Sequence, residues 1–312
     1  RQIKDRYGNA NLPNVITVDM KDEMHSGNKT PISSVLREKL RETLDDGKQA
    51  ILLINRRGYN TFIACNECGH IVMCPNCSIS LTYHSHSNRL VCHYCGYSKK
   101  LDNICPVCHS DAVRYSGYGT QRIEEEIASL FTNARILRMD ADTTTAKFSH
   151  QRLLDAFKNK EYDILIGTQM VAKGLDFDDV SLVGVVNADN SLYDESYTAG
   201  ERSFDLITQV VGRAGRRNDT GCAVIQTVNP QNEVLSFASK QDYEGFFNNE
   251  IEMRRLMIYP PFCDIFCVGF SGENENTVAM CAKRFFEQIV KLNKESFADV
   301  KIVILGPTPA CL

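Results

Sequence analysis

Residues 163–189 have the sequence DILIGTQMVAKGLDFDDVSLVGVVNAD, and this stretch decides the fold class. Its two apolar segments, DILIGT and VSLVGVVNAD, are typical of strands buried inside a parallel sheet. The loop between them carries Lys173, Gly174 and Asp176. In open α/β sheets ligand groups gather where strands end, so the loop that starts at Thr168 is a candidate ligand-binding segment.

The same alternation of strand and helix signals extends in both directions from this stretch. Upstream strand signals are VITVDM (15–20), QAILLINRR (49–57) and ARILRMD, and upstream helix signals are ISSVLREKLRETLDDG (32–47), TQRIEEEIASLF and HQRLLDAFKNK. Downstream come the helix signal ERSFDLITQVVGRAG and the strand signal CAVIQTV. This rhythm predicts an α/β fold with a mostly parallel sheet covered by helices on both faces.

Two breaks in the rhythm divide the chain. A cysteine-rich segment at 65–111 interrupts it after the NRRG strand, so we interpret that segment as an insertion between 1–64 and 112–229. From 230 to 312 the register changes, and FCDIFCVGFSG, VAMCAKRFFEQIVKLNK and VKIVILG predict the opening βαβ of a further domain.

Composition limits the classes of function. The 312 residues are 43% hydrophobic and 24% charged, as in ordinary globular proteins. The apolar runs are too short for a membrane span, and the start has no signal-peptide pattern. A net charge of −4 means that any contact with nucleic acid must be local. Because the chain starts at Arg1 rather than Met and stops after LGPTPACL, we expect it to be an excised fragment.

Eight of the thirteen cysteines form four CxxC pairs, which predicts two zinc sites. The pairs are Cys65/Cys68, Cys74/Cys77, Cys92/Cys95 and Cys105/Cys108. A CxxC turn directs two sulfurs at one centre, and a tetrahedral zinc ion needs two such turns. The alternative, redox or disulfide pairs, requires an oxidising compartment that no other feature supports.

Spacing leaves the pairing of these turns open. The gaps between successive pairs are five, fourteen and nine residues. Joining the inner pairs matches common zinc-ribbon spacing and leaves the outer pairs for a second, nested site. The alternative is an interleaved arrangement that joins the first and third pairs. The nested arrangement is our prediction.

The charge of this segment restricts its role. It has three basic residues (Arg89, Lys99, Lys100) and three acidic ones (Glu67, Asp102, Asp111). Since each four-thiolate zinc site adds a formal charge of about −2, the segment is acidic overall and is not an obvious phosphate-binding element. Our hypothesis is that it docks protein partners or shapes a DNA junction.

A second motif, Gln209-Val210-Val211-Gly212-Arg213-Ala214-Gly215-Arg216, has the pattern QxxGRxxR at the end of a predicted helix. Two arginines three residues apart lie on one helical face, where a guanidinium pair suits a γ-phosphate on which charge develops. The alternative is that they only neutralise a helix C-terminus. The order and distance of the two motifs favour a shared function.

The sequence also lacks the other half of a nucleotide site. There is no GxxxxGK[ST] loop to cradle phosphates. The string Asp22-Glu23-Met24-His25 spells DExH, but no phosphate loop precedes it, and we interpret it as a coincidence.

From about residue 10 to 312, this chain resembles the primosomal replication-restart DNA helicases. The resemblance rests on the eight cysteines and on the segments NRRGYN, GTQMVAKGLDF, QVVGRAGR and YPPF. The two motifs resemble motifs V and VI of superfamily 2 helicases, which implies a RecA-like second helicase lobe with a two-zinc insertion. The nested zinc pairing agrees with that family. RMDADTT (138–144) departs from it, because Ala141 stands where the family has a basic residue.

The resemblance implies roles for individual residues. Arg213 and Arg216 would be arginine fingers, and Gln209, Gly174 and Asp176 would face the nucleotide. Thr168, Gln169, Arg56 and Arg57 would contact DNA, and the alternative for Arg56 and Arg57 is a structural ion pair.

The resemblance also implies cofactors and partners. It implies two zinc ions, with ATP and Mg²⁺ in the full-length protein, 3′-to-5′ unwinding and restart of stalled forks. Implied partners are branched DNA, primosome proteins, single-stranded DNA-binding protein and the replicative helicase loader, with no membrane, for a monomer in the bacterial cytoplasm and nucleoid. We expect the fragment alone to be inactive. The competing hypotheses are a zinc-ribbon adaptor on a catalytically dead scaffold and another superfamily 2 translocase.

Overall fold

The structure is a computed structural model of the 312-residue chain. It describes residues 13–28, 30–54, 63–65, 68, 70, 72–75, 81–84, 89–92, 97–102, 104–111, 113–115, 120–139, 149–168, 177–192, 196–214 and 221–307.

A six-stranded parallel sheet organises the first part of the chain. Its strands are β1 (Asn14–Asp19), β2 (Gln49–Leu53), β8 (Ile136–Met139), β9 (Ile164–Gly167), β10 (Val180–Val185) and β11 (Cys222–Thr227). The spatial order is β1-β11-β10-β2-β9-β8, and every neighbouring pair is parallel. The predicted parallel sheet is confirmed, and each of its strands falls in a segment that the apolar pattern had indicated.

Helices lie between these strands along the chain, and within the described residues three more follow the last strand. They are α1 (Met20–His25), α2 (Ser34–Asp45), α3 (Thr120–Leu130), α4 (Ser149–Lys158), α5 (Asp189–Leu192), α6 (Ala199–Val211), α7 (Glu233–Lys240), α8 (Tyr243–Met257) and α9 (Glu275–Ser296). The cap of α2 shows how sequence sets a boundary, because the Ser33 hydroxyl accepts the Leu36 backbone N–H at 3.1 Å. None of the described helices combines the length and the apolar composition that a bilayer crossing requires.

Apolar clusters cover both faces of the sheet. One face packs against α4, α6, α7 and α8 through Phe157, Phe204, Leu235 and Phe246. The other face packs against α2 and α3 through residues that include Leu36. Since β2 is buried along its whole length, its side chains contribute to both clusters. The structure is therefore the two-sided α/β sheet that the sequence predicts.

The cysteine-rich insertion forms its own small β structure. Strands β3 (Ile63–Cys65) and β7 (Val113–Tyr115) pair antiparallel at its base. Strands β4 (Thr82–His84), β5 (Arg89–Val91) and β6 (Ser98–Lys100) form a separate antiparallel sheet. A separate apolar cluster contains five buried residues of the insertion. Such a small core gives the insertion little hydrophobic stabilisation of its own.

The chain divides after Met253 rather than near 230. The later boundary has a clear cause, because Phe246 of α8 stacks on Phe204 of α6 with ring centroids 4.3 Å apart. In the second unit the described residues 254–307 contain α9 but no strand. The strands predicted within FCDIFCVGFSG and VKIVILG are thus not formed, since a strand needs a hydrogen-bonding neighbour and neither segment pairs within the described chain.

Candidate metal centre and nucleotide-facing residues

The structure brings the two outermost CxxC pairs together. The sulfurs of Cys65, Cys68, Cys105 and Cys108 all lie within 4.8 Å of one another. Cys65 Sγ lies 3.5 Å from Cys108 Sγ, and Cys68 Sγ lies 3.5 Å from Cys105 Sγ. Tetrahedral zinc with Zn–S bonds of about 2.3 Å separates its sulfurs by about 3.8 Å. The four thiols therefore fit a zinc ion with only small adjustments.

One backbone hydrogen bond recurs where the turns are described. The N–H of Cys65 donates to the His70 carbonyl at 2.9 Å, and that of Cys105 donates to the Ser110 carbonyl at 2.8 Å. Cys92 repeats the pattern, because its N–H donates to the Tyr97 carbonyl at 2.7 Å. In each turn the first cysteine is thus bonded to the residue five positions later. The third turn therefore has the same local construction as the two that form the cluster.

The ionisation of these thiols depends on their neighbours. Burial raises the pKa of Cys68 to about 12. Burial also opposes ionisation of Cys105, but hydrogen bonds from the backbone N–H groups of Cys108 and Val107 and from the thiols of Cys68 and Cys108 together outweigh it and lower the pKa of Cys105 to about 7. Four thiolates this close repel one another, and a divalent cation removes that repulsion. The donor set suits a soft divalent metal such as zinc.

The inner cysteine pairs are described only in part. Cys74 and Cys92 are buried in the same apolar cluster, with Val72, Leu81 and Leu90. Cys77 and Cys95 lie outside the described residues. The first cysteine of each inner pair therefore shares one core, which is compatible with the nested pairing.

The described residues of the two predicted ligand-binding motifs lie at two edges of the large sheet. Thr168 follows β9 at the carboxyl ends of the strands. Gln209 lies in the last turn of α6, and Arg213 follows that helix. Because α6 connects β10 to its parallel neighbour β11, it runs antiparallel to both, and its C-terminal end points towards the amino edge. The structure thus places Thr168 at the strand ends, where the sequence predicted a ligand-binding segment, and places Arg213 away from it at the end of a helix, as the sequence also predicted.

The chain that follows the candidate loop also returns to the amino edge. Phe177 is buried and packs edge-to-face on Phe157, with ring centroids 5.0 Å apart. Two residues later the Asp179 carbonyl accepts the backbone N–H of Gln49, the first residue of β2. The remaining predicted contact residues, Arg56, Arg57, Gln169, Gly174, Asp176 and Arg216, lie outside the described residues.

The DExH-like string has a structural role in this fold. Glu23 is buried and accepts hydrogen bonds from the Asn28 side chain at 2.6 Å and from the Ser34 backbone N–H at 2.9 Å. Although burial opposes ionisation, these bonds and the bond from the Ser34 hydroxyl lower the pKa of Glu23. Its carboxylate therefore fixes the loop that leads into α2, in keeping with the interpretation of the string as a coincidence.

Two buried polar residues at the carboxyl edge were not singled out from the sequence. Asp189 is 2% exposed and accepts the Thr227 hydroxyl at 2.8 Å and the Val228 backbone N–H at 3.0 Å. Gln226 is fully buried. Asp189 does belong to the VVNAD end of the quoted stretch, and a charged residue directly after an apolar strand is the only signal that could have marked it.

Comparison with known proteins decides the family. The sequence model for the "PriA DNA helicase Cys-rich region (CRR) domain" matches residues 74–100. The replication restart protein PriA of Bacillus subtilis (strain 168) is 43% identical over 306 residues, which cover 98% of this chain and 37% of that protein. This chain belongs to the PriA replication restart family.

Other PriA proteins match to a similar extent. That of Borreliella burgdorferi is 36% identical over 99% of this chain and 45% of its own length, and that of Synechocystis is 38% identical over 100% and 37%. The chain therefore spans less than half the length of these PriA relatives. Among solved structures, RecG bound to a three-way DNA junction is 12% identical with a TM-score of 0.42, covering 91% of this chain and 26% of that one.

The PriA family model and the four-cysteine cluster together support zinc binding by the insertion. The large parallel sheet, interrupted by this insertion, is the α/β lobe with a zinc module that the sequence predicted.

Proposed function

We propose that this chain forms the second motor lobe and zinc module of an ATP-dependent 3′-to-5′ DNA helicase that restarts stalled replication forks. In this proposal a companion lobe supplies the phosphate-binding loop and the Mg²⁺-binding acidic residues, because the present sequence has no GxxxxGK[ST] loop. The chain's own residues then bind DNA at one edge of the sheet and complete the nucleotide site at the other.

One observation carries the proposal. A residue predicted to contact DNA and residues predicted to contact the nucleotide lie at different edges of the sheet. Thr168 lies at the carboxyl edge, whereas Gln209 and Arg213 lie at the end of α6 that points towards the amino edge. Two different ligands can therefore bind this lobe at the same time. A motor needs this arrangement, because it must hold DNA while ATP binds and is hydrolysed.

At the nucleotide edge, Arg213 and Arg216 would donate hydrogen bonds to the γ-phosphate as negative charge develops on it. Gln209, Gly174 and Asp176 would complete the contacts around the nucleotide. Thr168, Gln169, Arg56 and Arg57 would bind the DNA backbone. The short side chain of Ala214, which is fully buried in the core next to Arg213, supports this by fixing the end of α6.

In the insertion, we propose that Cys65, Cys68, Cys105 and Cys108 bind one zinc ion and that Cys74, Cys77, Cys92 and Cys95 bind a second. The shared turn geometry at Cys65, Cys92 and Cys105 supports the second site. With four thiolates each, both sites are closed and structural, with no position for a catalytic water.

The proposed partners follow from the proposed restart activity. They are branched DNA, primosome proteins, single-stranded DNA-binding protein and the replicative helicase loader, and the proposed setting is a monomer on the nucleoid in the bacterial cytoplasm.

The arginine assignment is tested in a full-length PriA protein that contains this sequence. We expect Arg213→Ala and Arg216→Ala each to lower the turnover number of DNA-stimulated ATP hydrolysis about a thousandfold, because an arginine finger stabilises mainly the transition state. Fork binding, measured by fluorescence anisotropy, should be unchanged. Arg202→Ala, at the other end of α6, is the matched control and should retain turnover. Normal hydrolysis by both finger variants would remove the assignment, whereas absence of DNA-stimulated hydrolysis in the unsubstituted full-length protein would favour a catalytically dead adaptor.

A further inference from the structure

The small sheet of the zinc module aligns basic residues across its strands. Arg89 of β5 pairs in register with Lys100 of β6, and His84 of β4 occupies the register position opposite Arg89. Residues directly opposite one another in an antiparallel pair lie on the same face of the sheet. Arg89 and Lys100 therefore form two neighbouring cations on one face, which we name the basic pair.

No carboxylate balances this pair within the small sheet. Its nine strand residues, TYH, RLV and SKK, include no Asp or Glu. Lys99 alternates to the opposite face and has an acidic partner, Asp102, at 3.5 Å. In the described part of the chain, no acidic side chain lies within ion-pair distance of Arg89 or Lys100. Like charges placed opposite each other destabilise a sheet, so an external anion would relieve their repulsion.

The arginine is already held in position. Its Nε–H donates to the Ser98 hydroxyl at 2.6 Å, and its Nη2 donates to the Ser98 carbonyl at 3.1 Å. A guanidinium has five N–H donors, so these two bonds leave three for a ligand. A fixed guanidinium loses little conformational entropy on binding and suits the geometry of a phosphate.

We propose that Arg89 and Lys100 bind the phosphate backbone of DNA, which gives the zinc module a defined DNA-contacting face although the module is acidic overall. The inference rests on the proposed helicase function and deepens it by naming the nucleic-acid contact of this module. A competing explanation is that the two cations offset the negative charge of the nearby zinc thiolates. That explanation predicts loss of zinc, and not of salt-sensitive DNA binding, when the cations are removed.

The test is the salt dependence of DNA binding by the zinc-loaded 312-residue chain. Dissociation constants for single-stranded and duplex probes are measured by anisotropy at several salt concentrations. Each phosphate contact contributes about 0.7 to the slope of log affinity against log salt for single strands and about 0.9 for duplex DNA. Arg89→Ala/Lys100→Ala should therefore lower the slope by about 1.4 or 1.8 on the form of DNA that this face binds. Lys99→Ala is the matched control. Because it removes a cation from the opposite face of the sheet, it should leave both slopes unchanged.

The outcomes separate this inference from the proposed function. A reduced slope in the double variant with zinc content retained supports the phosphate contact, and the probe affected tells whether single-stranded or duplex DNA is bound. Equal slopes for the double variant and the unsubstituted chain on both probes would overturn it while leaving the helicase proposal intact. Zinc loss in the double variant would also overturn it, in favour of the thiolate-neutralising role. If the unsubstituted chain binds neither probe, the proposed function itself fails.

Discussion

At the scale of single residues, Asp189 combines full burial with a negative charge. Asp189 follows β10, and its carboxylate connects that part of the chain with the end of β11. It does so by accepting the Thr227 hydroxyl and the Val228 backbone N–H. Burial raises the pKa of its carboxyl to about 6, against the opposing effect of these two hydrogen bonds. The folded chain therefore holds a proton on Asp189 at pH values where the unfolded chain has released it.

This difference predicts how stability depends on pH. Because the folded state binds the proton more tightly, the contribution of Asp189 to the free energy of unfolding falls as pH rises from about 4 to about 6, and it is constant above that. Asp189→Asn removes the titration, so the variant should lose less stability than the parent over that interval. Urea unfolding of both proteins at a series of pH values measures the difference. Thr227→Val should extend the decline to higher pH, because loss of the hydroxyl raises the folded-state pKa of Asp189 further. Parallel curves for parent and Asp189→Asn would contradict the assignment.

Polar residues such as Gln226 mark the limit of prediction from sequence. Its amide donates to the carbonyls of Pro31 and Val186 and accepts the Ser33 backbone N–H, at 2.8 to 3.0 Å. Two of these partners are more than 190 residues away in the chain. An apolar period can be recognised within one segment, but a buried amide is recognisable only when the distant groups that it bonds are in place.

At the scale of elements, Gly184 sets how closely α2 approaches the sheet. A Cβ at this position of β10 would lie 2.6 Å from Leu52 Cδ2 and 3.0 Å from Leu36 Cδ1, and both leucines are fully buried. The absence of a side chain thus lets the strand, its neighbour β2 and the helix meet.

Filling that space should cost stability. We expect Gly184→Val to lower the free energy of unfolding by about 1–3 kcal/mol, because overpacking displaces both leucines. Gly200→Ala is the control, since its Cβ would have no atom closer than 3.4 Å and alanine favours the helix that contains it. Denaturant unfolding compares the two variants. Equal stability of Gly184→Val and the parent would show that α2 moves away freely.

We expect the zinc module to depend on its metal more than the large sheet does. Its buried cluster is small and separate from the two clusters that cover the sheet. We expect about two zinc ions per chain, and Cys65→Ser should lower the zinc content to about one. Cys281→Ser, at an exposed cysteine of α9, is the control and should retain both ions.

Metal removal should then affect the two β structures differently. In a chelator, amide protons of β3 and β5 should exchange rapidly, while those of β2 and β10 remain protected, because only the module lacks a large apolar core. Mass analysis of hydrogen exchange resolves the two regions. Simultaneous loss of protection in both would mean that the sheet also depends on zinc, and unchanged protection in the module would mean that zinc does not hold it.

The elements also show why some predictions from sequence succeed. The strand that contains Ile164–Gly167 is buried along its length, so an uninterrupted apolar run was enough to identify it. The repeated CxxC spacing likewise singled out the four cysteines that cluster, Cys65, Cys68, Cys105 and Cys108, as candidate metal ligands, although it left the pairing of the turns open. The apolar segments around α9 had the same appearance, but many of their side chains, such as Phe266, are exposed. Composition can indicate that a segment is able to form a strand, whereas pairing requires a neighbouring strand that composition does not report.

At the scale of the whole molecule, the residues proposed to contact a nucleotide are not accompanied by a phosphate-binding loop in this sequence. Arg213 follows α6, yet the sequence has no GxxxxGK[ST] loop. An arginine finger stabilises charge on a phosphate that other residues must first bind and orient. We therefore expect the purified 312-residue chain to show no DNA-stimulated ATP hydrolysis above background. Phosphate release in the presence of single-stranded and forked DNA measures this, with full-length PriA of Bacillus subtilis as the positive control. Turnover by this chain that disappears on Arg213→Ala would contradict the prediction, because it would require the nucleotide site to be complete within these residues.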